Sequence, residues 1–401
     1  MKKSLGIIFF TVFIYLVGFG IIIPIIPILS RDFGASPLQT GLLMSVYSFM
    51  QFIFAPFWGS LSDRIGRRPI LTFCLLGEAL SYILFAWSRS LEWLFAARML
   101  AGFFGASLST ASAYISDITP PDQRSKGMAL IGAAFGLGFV VGPALGGALA
   151  LWGQSISPEK HFDTSFSALW VSGICFAGFL FAFKFLKESL NTAEGTATQQ
   201  KKKRFAVLKS YLSRPLIGHL MIVFGLCSLA MSAMEATLIL YVGERFAWTV
   251  KEVSFGFAYI GIVMALTQGG LVRKLLPIWG EKKVLALGLS SFTLGMIGIA
   301  LAPNVSLLAV AMTLLSVGNG LANPALMGSI SLLAEQSEQG AAMGVTQSLA
   351  SLGRIIGPAL GGLIYGYLIT GPFILSATLG LLAVVTIRLL FDRLPNHARK
   401  S

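Results

Sequence analysis

The chain of 401 residues is 55% hydrophobic and only 12% charged, with a mean hydropathy of +0.78. Soluble domains carry roughly 25% charged residues, so this composition excludes a soluble enzyme, a disordered regulator and a nucleic-acid-binding domain. The net charge of +13 is accounted for by basic loops beside membrane helices, not by a nucleic-acid partner.

Apolar runs bounded by charged or turn-forming clusters predict spans near 5–29, 40–60, 70–88, 92–116, 125–151 and 166–187. Six more follow near 215–243, 252–275, 281–301, 304–333, 340–368 and 371–391. Each is long enough to cross a hydrocarbon core of about 30 Å. The opening run follows Lys2 and Lys3. It is longer than the apolar part of a secretory leader and holds Pro24 and Pro27, so it reads as the first span. Cys74, Cys175 and Cys227 lie inside apolar runs without metal-ligand spacing and read as small core residues. Asn304-Val305-Ser306 is formally a glycosylation sequon, discounted because the turn that carries it is very short.

Lys and Arg sort onto alternate sides of the spans. One side holds Lys2, Lys3, Arg64, Arg67, Arg68, Arg124, Lys126, the basic residues of 184–214, Arg273, Lys274, Lys282, Lys283 and the tail, twenty-three in all. The other side holds five, while Arg98 and Arg354 lie within spans. This excess places both termini in the cytoplasm. Residues 188–214 form a polar, basic linker between an N-terminal half, 1–187, and a C-terminal half, 215–401. The halves repeat. Gly142-Pro143-Ala144-Leu145-Gly146-Gly147 in span 5 recurs as Gly357-Pro358-Ala359-Leu360-Gly361-Gly362 in span 11, and the same offset of 215 residues carries Gly105 onto Gly320. The expected fold is an all-α integral membrane protein of twelve helices in two parallel six-helix halves.

The loop between spans 2 and 3 reads Gly59-Ser60-Leu61-Ser62-Asp63-Arg64-Ile65-Gly66-Arg67-Arg68-Pro69. Its arginines alone would fix topology, but Asp63, Gly66 and Pro69 at these spacings would not be needed for that. A carboxylate such as Asp63 is favoured at the positive end of a helix dipole, for which the start of span 11 near Gly340 is a candidate. Asp117, at the C-terminal end of span 4, meets the disfavouring end of a dipole and needs a cation, for which Arg67 is the candidate. Span 4 carries Arg98, Gly102 and Gly105, and an arginine within an apolar span either serves function or snorkels to the interface. In span 5, glycines four apart allow close helix approach, and Pro143 bends the helix.

These segments resemble the major facilitator superfamily. The loop follows G-x-L-x-D-R-x-G-R-[RK]-P, and span 4 is similar to R-x-x-x-G-x-x-G-A. Span 5 is similar to the G-x-x-x-G-P-x-x-G-G pattern associated with drug–proton antiporters. With Pro24-x-x-Pro27, the first half is most similar to the tetracycline and multidrug efflux type. The resemblance implies the major facilitator fold and a gating role for Asp63, Arg64, Arg67, Arg68, Asp117, Gly142, Pro143 and Gly146. At the span 1 position where tetracycline exporters carry an acid, this chain has Tyr15.

Proton coupling needs an exchanging group, and a carboxyl in low dielectric suits the task. The spans offer Glu78 in span 3 and Glu235 in span 7. In this fold span 3 is usually peripheral and span 7 lines the cavity, which ranks Glu235 first; a structural pairing of Glu235 with Arg354, or an interfacial carboxylate, is the alternative. Candidate substrate contacts are Tyr15, Tyr47, Gln51, Arg98, Met231, Met234, Gln268, Asn319, Asn323, Gln347 and Arg354, although such residues also pack helices. The expected activity is proton-coupled efflux of small amphipathic compounds by a monomer in the bacterial cytoplasmic membrane. The proton gradient is its energy source, with no cofactor, metal or nucleic acid. The alternative is a proton symporter or facilitator for sugars or other metabolites on the same fold. An enzyme would need a nucleophile–base or metal constellation, and ATP use a phosphate-binding loop; the sequence offers neither.

Overall fold

A computed structural model describes residues 2–120, 124–157, 162–190, 204–335 and 338–393. Residues 191–203 of the predicted linker, 188–214, therefore lie outside the described residues. The chain forms α1 (Lys2–Ile22), α2 (Ile25–Asp32), α3 (Pro37–Ile65), α4 (Arg67–Ala86), α5 (Leu91–Gly105), α6 (Leu108–Ile118), α7 (Arg124–Ile156) and α8 (Phe162–Phe185). It continues as α9 (Arg204–Leu212), α10 (Ile217–Phe246), α11 (Val250–Leu266), a π-helical turn (Thr267–Leu271), α12 (Val272–Leu301), α13 (Val305–Leu333), α14 (Gln339–Tyr367) and α15 (Gly371–Leu389). No strand occurs among the described residues.

Among the described residues, eleven helices are long and apolar enough to cross a membrane. One of them, Lys251–Leu301, has 51 residues. At 1.5 Å per residue it would run about 75 Å, more than twice a hydrocarbon core. Gly280, with φ 72° and ψ 169°, breaks the helical path within it. Counted as two, it brings the crossings to twelve in a multi-pass membrane protein. Two spans read as continuous are broken instead. Span 1 turns at Ile23 and Pro24, and span 4 at Ala106 and Ser107. Pro24 and Pro27 explain the first break, because a proline lacks the N–H donor and crowds the carbonyl four residues back.

Caps fix where helices begin. Ser36 and Gln39 form a reciprocal capping box at α3, Gln39 N donating to Ser36 Oγ at 3.2 Å and Ser36 N to Gln39 Oε1 at 2.8 Å. The Asn304 side chain is likewise engaged, accepting from Leu307 N at 3.0 Å at the start of α13.

The helices divide into two compact units, one of residues 1–196 with 247–258 and the other of 197–246 with 259–401. In the first, α1 packs on α7 and α8, α4 on α8 and α5, and α3 on α5. In the second, α10 packs on α14 and α15, and α12 on α13 and α15. The repeated Gly-Pro segments occupy equivalent contacts. Gly138, Gly142 and Gly146 of α7 lie against Leu16, Gly20 and Ile21 of α1, while Gly353, Gly357 and Gly361 of α14 lie against Leu229 and Ala233 of α10.

Candidate functional site

The break in span 4 organises the polar centre of the first unit. Where α5 gives way to α6, the carbonyls of Phe103 and Gly105 lose their in-helix partners. Trp58 Nε1 donates to Phe103 O at 2.7 Å, and Gln51 Nε2 and the Tyr15 hydroxyl donate to Gly105 O at 3.0 and 3.3 Å. The Tyr15 and Tyr47 hydroxyls bond each other, and Gln51 Nε2 also reaches the Tyr15 hydroxyl at 3.2 Å. Irregular backbone is tolerated at membrane depth when side chains satisfy it in this way.

Glu78 projects from α4 into the same place. A Cβ at Gly105 would lie 2.7 Å from both tyrosine hydroxyls and 3.3 Å from Glu78 Oε1. Glu78 is only 1% exposed, and neither of its oxygens has a hydrogen-bond partner among the described residues. Packing of α4 between α5 and α8 encloses the face of span 3 that carries Glu78. Arg98 of α5, 3% exposed, provides the facing positive charge. Its guanidinium lies 4.4 Å from the Tyr47 ring centre and 6.0 Å from that of Phe19, which stacks on Tyr47 at 4.8 Å. Arg98 is therefore buried over aromatic rings rather than extended to an interface, and its Nε and Nη1 find no acceptor among the described residues. Tyr82, one helical turn beyond Glu78, also buries its hydroxyl, with no hydrogen-bond partner among the described residues. Sequence reasoning did not single out Tyr82, Phe19 or Trp58.

The candidates of the second unit are more scattered. Glu235 on α10 is half-buried, with Arg354 of α14 as an opposing charge. Arg354 Nη2 also donates to Ser351 Oγ at 3.2 Å. Asn323 Nδ2 donates to Asn319 Oδ1 at 3.0 Å, and Asn319 Nδ2 reaches Met264 Sδ at 3.5 Å. Met234 is buried and Met231 half-buried on α10. Gln268 sits half-buried in the π-helical turn and Gln347 is exposed on α14. Neither glutamine makes a side-chain hydrogen bond among the described residues.

The loop between α3 and α4 is centred on Arg67. Its Nη1 contacts Asp63 Oδ1 at 2.5 Å and donates to Ser62 Oγ at 2.7 Å, while Nε reaches Asp117 Oδ2 at 3.1 Å. Arg68 donates to the Phe183 carbonyl at 2.6 Å and lies over the Phe183 ring, whereas Arg64 is exposed. The backbone N–H groups of Arg67 and Arg68 donate to Glu188, a residue outside every motif read from the sequence. Burial pushes the Glu188 carboxyl up, but four backbone N–H donors outweigh it and hold the group below the usual carboxylate range. Its stabilising contribution is therefore complete at neutral pH and is lost only as pH falls through that lowered value.

The sequence profile of the Major Facilitator Superfamily matches residues 8–278 and 271–401. The chain belongs to the major facilitator superfamily. It is 33% identical to the class B tetracycline resistance protein of Escherichia coli, over 87% of this chain and 85% of that one. Major facilitator superfamily domain-containing protein 10 of Homo sapiens is 30% identical, over 82% of this chain and 74% of that one. The crystal structure of the human organic anion transporter MFSD10 (TETRAN) superposes with a TM-score of 0.71 at 26% identity, covering 96% of this chain and 99% of that one. The nucleoside transporter NupG, at 14% identity and a TM-score of 0.72 over 98% and 99% of the two chains, shares the fold alone.

Within this major facilitator chain, the Arg67 contacts yield a graded prediction. Arg67→Ala leaves two carboxylates near each other without their shared cation. The expected loss is about 2 kcal/mol, less than for a fully buried pair because both acids contact solvent. Asp63→Asn, at a largely exposed partner, should cost less than about 0.5 kcal/mol. Thermal unfolding of the detergent-purified variants checks the order. Equal losses would show that burial does not set the strength of these pairs.

Proposed function

We propose that this chain is a proton-coupled efflux antiporter of small amphipathic compounds, working in the bacterial cytoplasmic membrane with both termini inside. The observation that carries the proposal is Glu78, an enclosed carboxyl with no hydrogen-bond partner among the described residues, facing Arg98 beside Tyr15 and Tyr47. Such a group can take or release a proton without first giving up a hydrogen bond to a neighbouring residue. Glu235 is more open and faces Arg354, which places Glu78 ahead of it as the coupling residue. Tyr15 occupies the position of the span 1 acid in tetracycline exporters, and Glu78 reaches the space beside its hydroxyl. In this reading span 3 supplies the carboxyl that span 1 lacks. The similarity to tetracycline resistance proteins supports efflux and makes tetracycline the first compound to test.

Antiport requires that substrate and proton exclude each other at one site. Around Glu78 stand Tyr15 of α1, Tyr47 of α3, Arg98 of α5, Cys175 of α8, and Cys74 and Tyr82 of α4 itself. A substrate that engages the ionised carboxyl competes with its proton, so binding weakens as pH falls. A second reading follows from Arg98, whose Nε and Nη1 lack acceptors among the described residues. A proton on Glu78 would release Arg98 for an anionic group, making binding tighter as pH falls and transport a cotransport. The similarity to the human organic anion transporter favours that alternative.

Binding measured from pH 8 to pH 6, with tetracycline and with an aryl carboxylate as probes, separates the readings. Antiport predicts weaker tetracycline binding at the acid end. Tighter aryl carboxylate binding at that end, with tetracycline unbound, would overturn it in favour of the second reading.

A further inference from the structure

The helices α3 and α4 are separated by a single residue, Gly66, whose φ of 114° lies in the region open to glycine. Gly66 has no side chain with which to cap α4, and Pro69 has no N–H. The donors of the first turn that need acceptors are therefore those of Arg67 and Arg68. Both go to a residue more than one hundred positions away: Arg67 N to Glu188 Oε1 at 2.8 Å and Arg68 N to Glu188 Oε2 at 3.1 Å. The same carboxylate turns its own strand of chain, accepting from Ser189 N and Leu190 N, each at 3.0 Å. The absent side chain of Gly66 makes room for this, since a Cβ there would lie 2.5 Å from Glu188 Oε2.

Ser189 adds a second attachment. Its hydroxyl donates at 3.0 Å to Asp117 Oδ2, the oxygen that receives Arg67 Nε at 3.1 Å. One dipeptide beyond α8 thus holds the start of α4 through its backbone and the end of α6 through Asp117.

We infer that Glu188 and Ser189 are positioning residues of the α3–α4 loop, setting the Arg67–Asp117 pair and tying it to the start of the linker. A loop that served topology alone would need its positive charge but no such frame. The arrangement makes residues 188–190 a handle on the loop: displacement of the linker start is transmitted to α4 and to Asp117 together. The inference does not depend on what is transported or on whether protons are coupled.

Hydrogen–deuterium exchange on the full chain in lipid nanodiscs tests it, following the start of α4 (residues 66–72) and the end of α6 (residues 115–119). Glu188→Ala should speed exchange in both segments by about tenfold, the scale of losing charge-assisted hydrogen bonds. Glu188→Gln keeps the shape but offers one acceptor oxygen, and should fall between that variant and the unaltered chain. Opening of the α4 segment alone would reduce Glu188 to a local cap and overturn the inference. Ser189→Ala, which leaves the carboxylate in place, covers the case in which Glu188→Ala does not accumulate. It should speed exchange at the end of α6 by about threefold with the α4 segment unchanged, and an unchanged α6 end would equally overturn the inference.

Discussion

Glu78→Gln is expected to abolish proton-driven transport while leaving substrate binding measurable. The substitution keeps the side chain's size and its place among Tyr15, Tyr47 and Arg98, so the α4 packing that buries it at 1% exposure should persist. What it removes is the exchangeable proton and the negative charge facing Arg98. Vesicles carrying this variant should show no substrate-driven dissipation of an imposed proton gradient, although tetracycline or another bound probe still equilibrates by exchange. Glu235→Gln provides the control. Its carboxyl is half-buried opposite Arg354, and its loss should lower the rate while preserving the coupling. If coupling instead failed in Glu235→Gln and survived in Glu78→Gln, the proton site would belong to the second unit.

Gly142→Val should leave expression near normal and cut transport severely. A Cβ on Gly142 would lie 2.6 Å from Gly20 Cα, a contact with backbone that no rotamer change can relieve. The α1 and α7 helices must then separate locally. Overpacking of this kind costs about 1–3 kcal/mol, and every ~1.4 kcal/mol changes a two-state ratio tenfold. That is small enough for the chain to fold and large enough to displace an alternating-access equilibrium. Expression is followed by fluorescence-detected chromatography and transport in vesicles. Normal transport by well-expressed Gly142→Val would remove the close contact from the mechanism. Blocked transport without proton leak would leave helix packing as the whole role of the span 5 motif.

Much of the architecture is legible in the sequence because hydropathy registers membrane crossings directly and the six-residue repeat marks equivalent positions in the two halves. The breaks are harder. Gly105-Ala106-Ser107 looks like ordinary small-residue packing until its freed carbonyls are seen to be bonded by Trp58, Gln51 and Tyr15. The place of Glu78 is harder still, because hydropathy along span 3 does not say which neighbour each face meets. One local signal was available: Glu78 and Tyr82 are four residues apart and so share a helix face. Tyr15, Tyr47, Gln51 and Arg98 were recognisable as polar groups in apolar spans, yet only packing shows that they converge. Glu188 left no pattern at all, since no periodicity links a carboxylate to backbone donors more than one hundred residues earlier.

In the proposed mechanism, substrate and proton exchange at Glu78. The direct measurement is proton release from the purified, weakly buffered protein when tetracycline, or the substrate found by a panel, is added. The unaltered chain and Glu235→Gln should each release about one proton per substrate bound, and Glu78→Gln none. Undiminished release from Glu78→Gln, at unchanged substrate occupancy, would contradict it.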